Sequence, residues 1–173
     1  MISIRPYRTG DGAAFHRAAM ESLPEVGPWM PWCTSGFTIE AAHSWAARQV
    51  ESWAERREFE FILVNEADEF LGACGLNQID ALNRRANLGY WVRTSAVRRG
   101  IATAGVRLVE RWAFANTDLA RLELVIAVDN AASIRVAEKA GAVREGLLHH
   151  RLFLQGRSHD AWMFSLLRSR FAR

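Results

Sequence analysis

The stretch RRGIATAGVRLVERW, residues 98–112, decides the fold, because it runs two arginines and a glycine into the start of a helix. Small residues follow the glycine, at Ala102, Thr103 and Ala104. Apolar residues then recur on one helical face, which predicts a helix that covers a sheet; they are Gly105, Leu108, Val109, Trp112 and Ala115. Packing alone does not require so many small residues in a first helical turn.

The start of this helix is suited to an anion. A strand predicted to end at Val92 or Arg93 leads through a short loop to Gly100, and the first amides of a helix have no acceptor within it. The helix dipole adds partial positive charge, and small side chains let a pyrophosphate approach the main chain. Arg98 and Arg99 can add charge-assisted contacts, with Arg99 the nearer. By spacing alone, an anion site and an ordinary glycine-softened helix start both remain open.

Other phosphate-binding and metal-binding classes lack their signatures here. A nucleoside-triphosphate loop needs Gly-Lys-Ser/Thr, and a dinucleotide fold needs three spaced glycines in an early parallel unit. The sequence has neither pattern. Cys33 and Cys74 have no companion cysteines or suitably spaced histidines, so we expect no metal site and no disulfide framework.

Charge and hydropathy narrow the partners further. The formal net charge of the 173 residues is +3, from 22 basic and 19 acidic side chains, and the arginines lie singly or in pairs. We therefore expect no nucleic-acid partner. The N-terminus lacks the apolar core of a signal peptide, and no window approaches the roughly 18 apolar residues of a membrane span. These patterns predict a cytoplasmic protein with no membrane partner.

The periodicity along the chain predicts a single α/β domain over residues 1–173. The expected order is strand, helices, three antiparallel strands, helix, strand, helix and hairpin. The expected strands are 2–7, 59–64, 70–79, 86–92, 121–128, 147–154 and 159–167, and the expected helices begin after Asp11, Thr38, Gly100 and either Asp129 or Asn130. Residues 23–36 carry three prolines and are expected to be irregular, and Gly89 suggests a bulge or a close backbone approach.

Two linked segments, NLGYWVRTSAVRRGIATAGVRLVERWAF (87–114) and LELVIAVDNAASIRVAEKAGAVREGLL (122–148), carry a family resemblance. They resemble the acetyl-CoA-binding half of the GNAT superfamily of N-acetyltransferases, and most of all the RimJ/RimL type that acetylates the N-termini of ribosomal proteins. The resemblance implies an α+β domain with a mixed, mostly antiparallel central sheet flanked by helices. It also implies that the strands near 87–93 and 121–128 splay apart, so that pantetheine enters the gap.

The resemblance also assigns residues to the coenzyme. The pyrophosphate loop of the family has Gln or Arg, two variable residues, Gly, a variable residue, then Gly or Ala, and here Val97 departs from its first position. Asn130 and Ser133 match the family's Asn-x-x-Ser at the start of the next helix. The residues implied to contact acetyl-CoA are Trp91, Val92, Arg98, Arg99, Gly100, Ile101, Ala102, Thr103 and Asn130.

The implied chemistry is transfer of an acetyl group from acetyl-CoA to a primary amine, on a protein N-terminus or a small molecule, by direct attack through a tetrahedral intermediate. Ser133 is the candidate proton donor to the departing thiolate, and Val92 or a neighbour offers an amide to the oxyanion. RimL-like sequences have Glu where this chain has Asn87. An amide cannot accept the amine proton, so Asn87 is expected to orient a water, unless another Glu or His is the base or the amine arrives neutral.

Several alternatives stay open at this point. Trp29 and Trp32 lie on a proline-stiffened loop and either wall the acceptor pocket or cover the core. Because Asn87 stands where a carboxylate is expected, the sequence also fits a non-catalytic module that binds and senses acyl-CoA without turning it over. Dimers are common in the resembled family, but the sequence does not decide between a monomer and a homodimer.

Overall fold

The structure, a computed structural model, describes residues 1–168 and is built on a seven-stranded sheet. The strand order is β1-β2-β3-β4-β5-β7-β6. Among the strands within residues 1–168, only the β4–β5 pair is parallel. The strands are β1 Ser3–Pro6, β2 Phe59–Val64, β3 Phe70–Asp80, β4 Arg85–Val92, β5 Arg121–Ala127, β6 Val143–Leu154 and β7 Arg157–Leu167.

Five helices flank this sheet: α1 Gly12–Glu21, α2 Leu23–Val26, α3 Ile39–Ala54, α4 Ile101–Asn116 and α5 Ala131–Ala140. The local signals for three of their ends are confirmed. The Thr38 hydroxyl accepts from the Ala41 amide, and Asn130, rather than Asp129, accepts from the Ser133 amide at the start of α5. Gly141 ends α5 in the left-handed conformation that glycine adopts at little cost.

Two details of the first helices differ from the expectation. Residues 23–36 are not wholly irregular, because Pro24 occupies the first turn of the one-turn helix α2, where its missing N–H is no loss. Asp11 is not the side-chain cap of α1. Its carboxylate accepts instead from the Arg8 amide and pairs with the Arg5 guanidinium, which ties β1 to the turn before α1.

The sheet has two differently covered faces. On the first, here called the α4 face, Phe61, Leu76, Leu88 and Leu124 pack against α4 and α5. On the second, the α1 face, Ile62, Ala73 and Trp91 pack against residues of α1 and α3. Because successive side chains of a strand alternate between faces, Glu60, Gly75, Asn77, Asn87 and Gly89 all belong to the α1 face.

The sheet opens between β4 and β5, as the family resemblance implied. Their parallel pairing covers only Arg85–Asn87 against Arg121–Glu123, after which the two strands diverge. The bulge expected at Gly89 is wrong, because the β3–β4 register runs without a shift from Gly72–Val92 to Asn77–Asn87. Divergence from β5, rather than a bulge, is what frees the β4 backbone.

Candidate active site

The splayed part of β4 presents its backbone to the gap. The Arg93 amide donates to Leu71 O on β3, and the direction of backbone groups alternates along an antiparallel strand. The N–H groups of Leu88, Tyr90 and Val92 therefore point away from β3, toward β5 and the gap. A cavity of about 80 Å³ lies here, and it is lined by Leu88–Tyr90, residues 124–127 and Ser133. These amides can pair with an extended ligand or with an oxyanion.

The gap continues into a cavity of about 630 Å³ that reaches the start of α4. Gly100 is the residue before α4 and has φ 75°, and a Cβ there would meet nothing within 4 Å. The Ala104 amide bonds to Gly100 O, so the amides of Ile101–Thr103 precede the first helical bond and face outward. Gly100, Ile101, Ala102 and Thr103 all line the cavity, and this end fits a pyrophosphate.

Positive charge around this end comes partly from residues that the sequence reasoning missed. Arg98 lines the large cavity, as do Arg135 and Lys139 on α5. Both loop arginines are exposed, and Arg98, with φ 61°, lines the cavity whereas Arg99 does not, so the contact of Arg99 with the pyrophosphate stays a prediction. The helical spacing of Arg135 and Lys139, one turn apart on α5, was the signal that could have identified them.

Ser133 is held between a helix cap and a tyrosine. Its amide donates to Asn130 Oδ1 at 3.0 Å, and its hydroxyl lies 2.7 Å from the hydroxyl of Tyr90. Burial raises the pKa of Tyr90 well above the usual value, so this phenol stays protonated, and it donates to the carbonyl oxygen of Ser133 at 3.0 Å. Ser133, Asn130 and Tyr90 all line both cavities. Tyr90 was not predicted as a site residue, although it adjoins the glycine at the gap.

The segment around α2 is fixed to the turn that follows β4. Glu21 accepts from the Arg93 guanidinium and from the Ser95 amide, and the Ser22 hydroxyl accepts from the Thr94 amide. The hydrogen bond from Arg93 holds the pKa of Glu21 down at about 2. This carboxylate is therefore committed to a structural ion pair and is not free to recognise an acceptor. Trp29, a few residues later, lines both cavities.

The side chains of two of the predicted tryptophans pack in the core. Trp32 packs against Phe15, Phe37 and Trp91, with ring centroids 5.3–5.5 Å apart. The side chain of Trp91 is buried in the same cluster, and its carbonyl faces Gly72 on β3. Trp91 nevertheless lines the large cavity, and its contact with the coenzyme stays a prediction. Val92 lines the large cavity.

Asn87 lies on the α1 face at the last paired position before the gap. Its amide nitrogen donates to Asn77 Oδ1 on β3 at 2.9 Å. Asn77 in turn donates to the carboxylate of Glu60 on β2. The structure thus brings Asn87 together with a carboxylate that the sequence reasoning did not single out, because Glu60 lies 27 positions earlier in the chain.

Within residues 1–168, no helix is both long and apolar enough to cross a membrane.

A family model described as an acetyltransferase (GNAT) domain matches residues 2–143. The chain is 35% identical over 111 residues to an uncharacterized N-acetyltransferase, p20, of Bacillus licheniformis, a match that spans 64% of this chain and 62% of that protein.

Two further similarities extend over nearly the whole chain. It is 27% identical over 172 residues to the putative ribosomal N-acetyltransferase YdaF of Bacillus subtilis, covering 96% of this chain and 91% of that protein. Its fold is similar to that of Mycobacterium smegmatis RimJ in complex with CoA-disulfide, with a TM-score of 0.89 at 24% identity, covering 99% of this chain and 84% of the other.

Proposed function

This chain belongs to the GNAT acetyltransferase family, and from that premise we propose how its residues divide the work of acetyl transfer to an amine. It is an acetyl-CoA-dependent N-acetyltransferase. The acceptor that we propose is the primary amine of a protein N-terminus or of a small molecule. The observation that carries the proposal is the continuous cavity from the open β4–β5 gap to the amides at the start of α4.

Each part of this cavity has a proposed role. The amides of Ile101–Thr103 and the side chain of Arg98 bind the pyrophosphate, with Arg135 and Lys139 adding charge. The gap-facing amides of Leu88, Tyr90 and Val92 pair with the pantetheine arm and bind the oxyanion. Acetyl-CoA, when bound, supplies the activated acyl group. Trp29 covers the mouth of the gap from the loop after α2.

We propose that Ser133 gives its proton to the departing sulfur and that Tyr90 orients it. The phenol of Tyr90 donates to the carbonyl oxygen of Ser133 at 3.0 Å and lies 2.7 Å from Ser133 Oγ, and these two contacts fix the position of the hydroxyl beside the cavities. A thiol has a free pKa near ~8.5, so a hydroxyl donor helps the thiolate to leave but is not indispensable. Asn130 fixes the position of Ser133 through its amide.

Replacement of Ser133 by Ala is expected to lower kcat about tenfold, less than a positioned proton donor usually contributes because a thiolate leaves readily without one, while CoA affinity stays within about twofold. The measurement is thiol release from acetyl-CoA, corrected for hydrolysis, across N-terminal peptides, amino acids, polyamines and aminoglycosides. Exposed Ser158 on β7 provides the matched control, Ser158→Ala, which should match the wild type. Unchanged turnover in Ser133→Ala would remove Ser133 from the mechanism. Normal CoA binding with no thiol release for any amine would instead favour the non-catalytic sensor.

We also propose that two copies associate through β6, the outermost strand of the sheet. Apolar side chains of this strand are exposed, namely Val143, Leu147 and Phe153, the last at 70%. An exposed, unpaired strand edge with apolar side chains favours association with a second strand. Light scattering after gel filtration should give twice the 19.5 kDa of the chain, and Phe153→Glu should return it to the monomer mass. A wild type that elutes as a monomer at all concentrations would contradict this proposal.

The cytoplasmic location stays a prediction.

A further inference from the structure

One carboxylate, on the same sheet as the gap, has no role in the acetyl transfer proposed above. Glu60 projects from β2 on the α1 face, and its register partner on β3 is Gly75. A Cβ on Gly75 would overlap the Glu60 carboxylate, so the side chain of Glu60 lies directly over this glycine. The missing side chain at Gly75 is what lets the carboxylate extend from β2 toward β4.

A second glycine continues the same line. Gly75 pairs with Gly89 on β4, and a Cβ at Gly89 would have only Asn87 Nδ2 nearby, at 3.9 Å. Neighbouring strands lie about 5 Å apart, so the carboxylate above Gly75 is about one strand spacing from Gly89. Gly89 itself lines the gap cavity. The surface formed by these two glycines, here called the Gly75–Gly89 floor, carries no side chain between the Glu60 carboxylate and the place where the thioester would lie.

Asn77 and Asn87 hold this carboxylate in place. Asn87 donates to Asn77 Oδ1, which leaves the Asn77 amide nitrogen to donate to Glu60. The chain of hydrogen bonds runs along the α1 face from the edge of the gap to the carboxylate. Through this chain Asn87 positions the Glu60 carboxylate. An amide can fill that role, because the role requires a hydrogen-bond donor and not a proton acceptor.

The surroundings of Glu60 bring the pKa of its carboxyl close to neutral pH. Burial raises its pKa to about 7, the hydrogen bond from Asn77 opposes this rise in part, and the charge of Glu58, just before the same strand, adds to it. Tyr7, which follows β1, and Cys74 on β3 are its other titratable neighbours, and burial raises the pKa of both well above the usual values. Farther along the face, Arg85 and Arg121 are both paired with Glu123.

Glu60 and Ser133 lie on opposite sides of the gap. Ser133 reaches it from α5 on the α4 face, where Tyr90 contacts it, whereas Glu60 lies on the α1 face. An amine that approaches over the Gly75–Gly89 floor would therefore have the Glu60 carboxylate on the side away from the thioester. The Ser133 hydroxyl would lie on the sulfur side of the C–S bond. Direct transfer needs this order of groups, since protons must leave the nitrogen and reach the sulfur.

We propose that Glu60 is the proton acceptor for the amine, acting through one water molecule over Gly89. The inference rests on the acetyltransferase function proposed above. The ammonium form of the acceptor gives one proton to the Glu60 carboxylate, and the freed lone pair forms the C–N bond. The C–S bond pair leaves with sulfur, which takes a proton from Ser133. The second nitrogen proton restores the Ser133 hydroxyl, and Glu60 later releases its proton to solvent.

The first test is the pH profile of kcat/KM for the wild type and for Glu60→Gln, which keeps the size of the side chain. The wild-type profile is expected to rise through about pH 7, and Glu60→Gln should lower the plateau about 100-fold and remove that rise. Glu58→Gln should keep the plateau and move the rise to lower pH. Glu51→Gln, on the exposed side of α3, is the matched control and should match the wild type.

The second test reads the titration of Glu60 without any reaction. An acid whose pKa is raised from 4.5 to about 7 on folding binds more protons folded than unfolded in that interval, so stability falls as pH rises through it. Urea unfolding from pH 4 to 8 should show this loss in the wild type relative to Glu60→Gln, and the difference should level off above about pH 7.

The two tests separate the possible failures. A wild type that transfers acetyl groups, with Glu60→Gln equal to it in rate and pH profile, would overturn the role of Glu60 and leave the acetyltransferase function standing. Parallel urea stabilities for both proteins across the pH range would also overturn it, because the carboxylate would then titrate as an exposed one. A wild type that transfers to no amine, although it binds CoA, would overturn both proposals.

Discussion

Replacement of Ala102 by Glu is expected to raise the Kd for CoA about 1,000-fold, which corresponds to about 4 kcal/mol. Ala102 lies in the first turn of α4 and lines the large cavity. A carboxylate there would occupy the space of the pyrophosphate, repel its charge and compete for the outward-facing amides, each of which contributes about 1.5–3 kcal/mol to a charged ligand. Isothermal titration of CoA into the two proteins measures the change.

The same substitution should act in the opposite direction on the fold. An acidic side chain near a helix N-terminus stabilises the helix by about 0.3–1 kcal/mol. The variant is therefore expected to unfold at the same or a slightly higher urea concentration while it loses CoA binding. Ala115→Glu, at the exposed far end of the same helix, is the matched control and should bind CoA normally. Retained affinity in Ala102→Glu would place the pyrophosphate elsewhere.

Truncation of Leu122 to Ala is expected to destabilise the fold by about 3 kcal/mol, as is usual for a leucine removed from a packed core. Leu122 is fully buried on β5, between Ala86 of β4 and Leu166 of β7, one position before the last β4–β5 pair at which the gap opens. For a chain of this size the melting temperature should fall by about 6–12 °C. Chemical and thermal unfolding of both proteins provides the measurement.

Leu82 offers a control with the same chemical change. It lies in the turn between β3 and β4 with 91% of its surface exposed, so Leu82→Ala should change stability by less than about 0.5 kcal/mol. Equal losses in the two variants would show that burial at β5 is not what stabilises the sheet. Leu122→Ala is also expected to weaken CoA binding if the pairing on either side of Leu122 holds the gap open at its present position.

Most of the pyrophosphate end could be predicted from sequence because its parts are neighbours in the chain. Gly100 and the small residues of the first helical turn lie within a few positions of one another, and the geometry of a helix start follows from them alone. The caps at Thr38, Asn130 and Gly141 were predictable for the same reason. Asp11 failed as a cap because Arg5 and the Arg8 amide hold its carboxylate, and a local pattern does not reveal that competition.

The sequence by itself determined the order of elements, the glycine-led start of α4 and the family motifs between residues 87 and 148, since these depend on short-range periodicity and capping. Only the tertiary structure decided that Trp29 lines the gap while Trp32 packs in the core, and that Tyr90 meets Ser133. It also decided that Glu60 lies over Gly75 in line with Gly89. The physical reason is strand register: it sets which distant residues share one face of the sheet, and it follows from the packing of the whole fold.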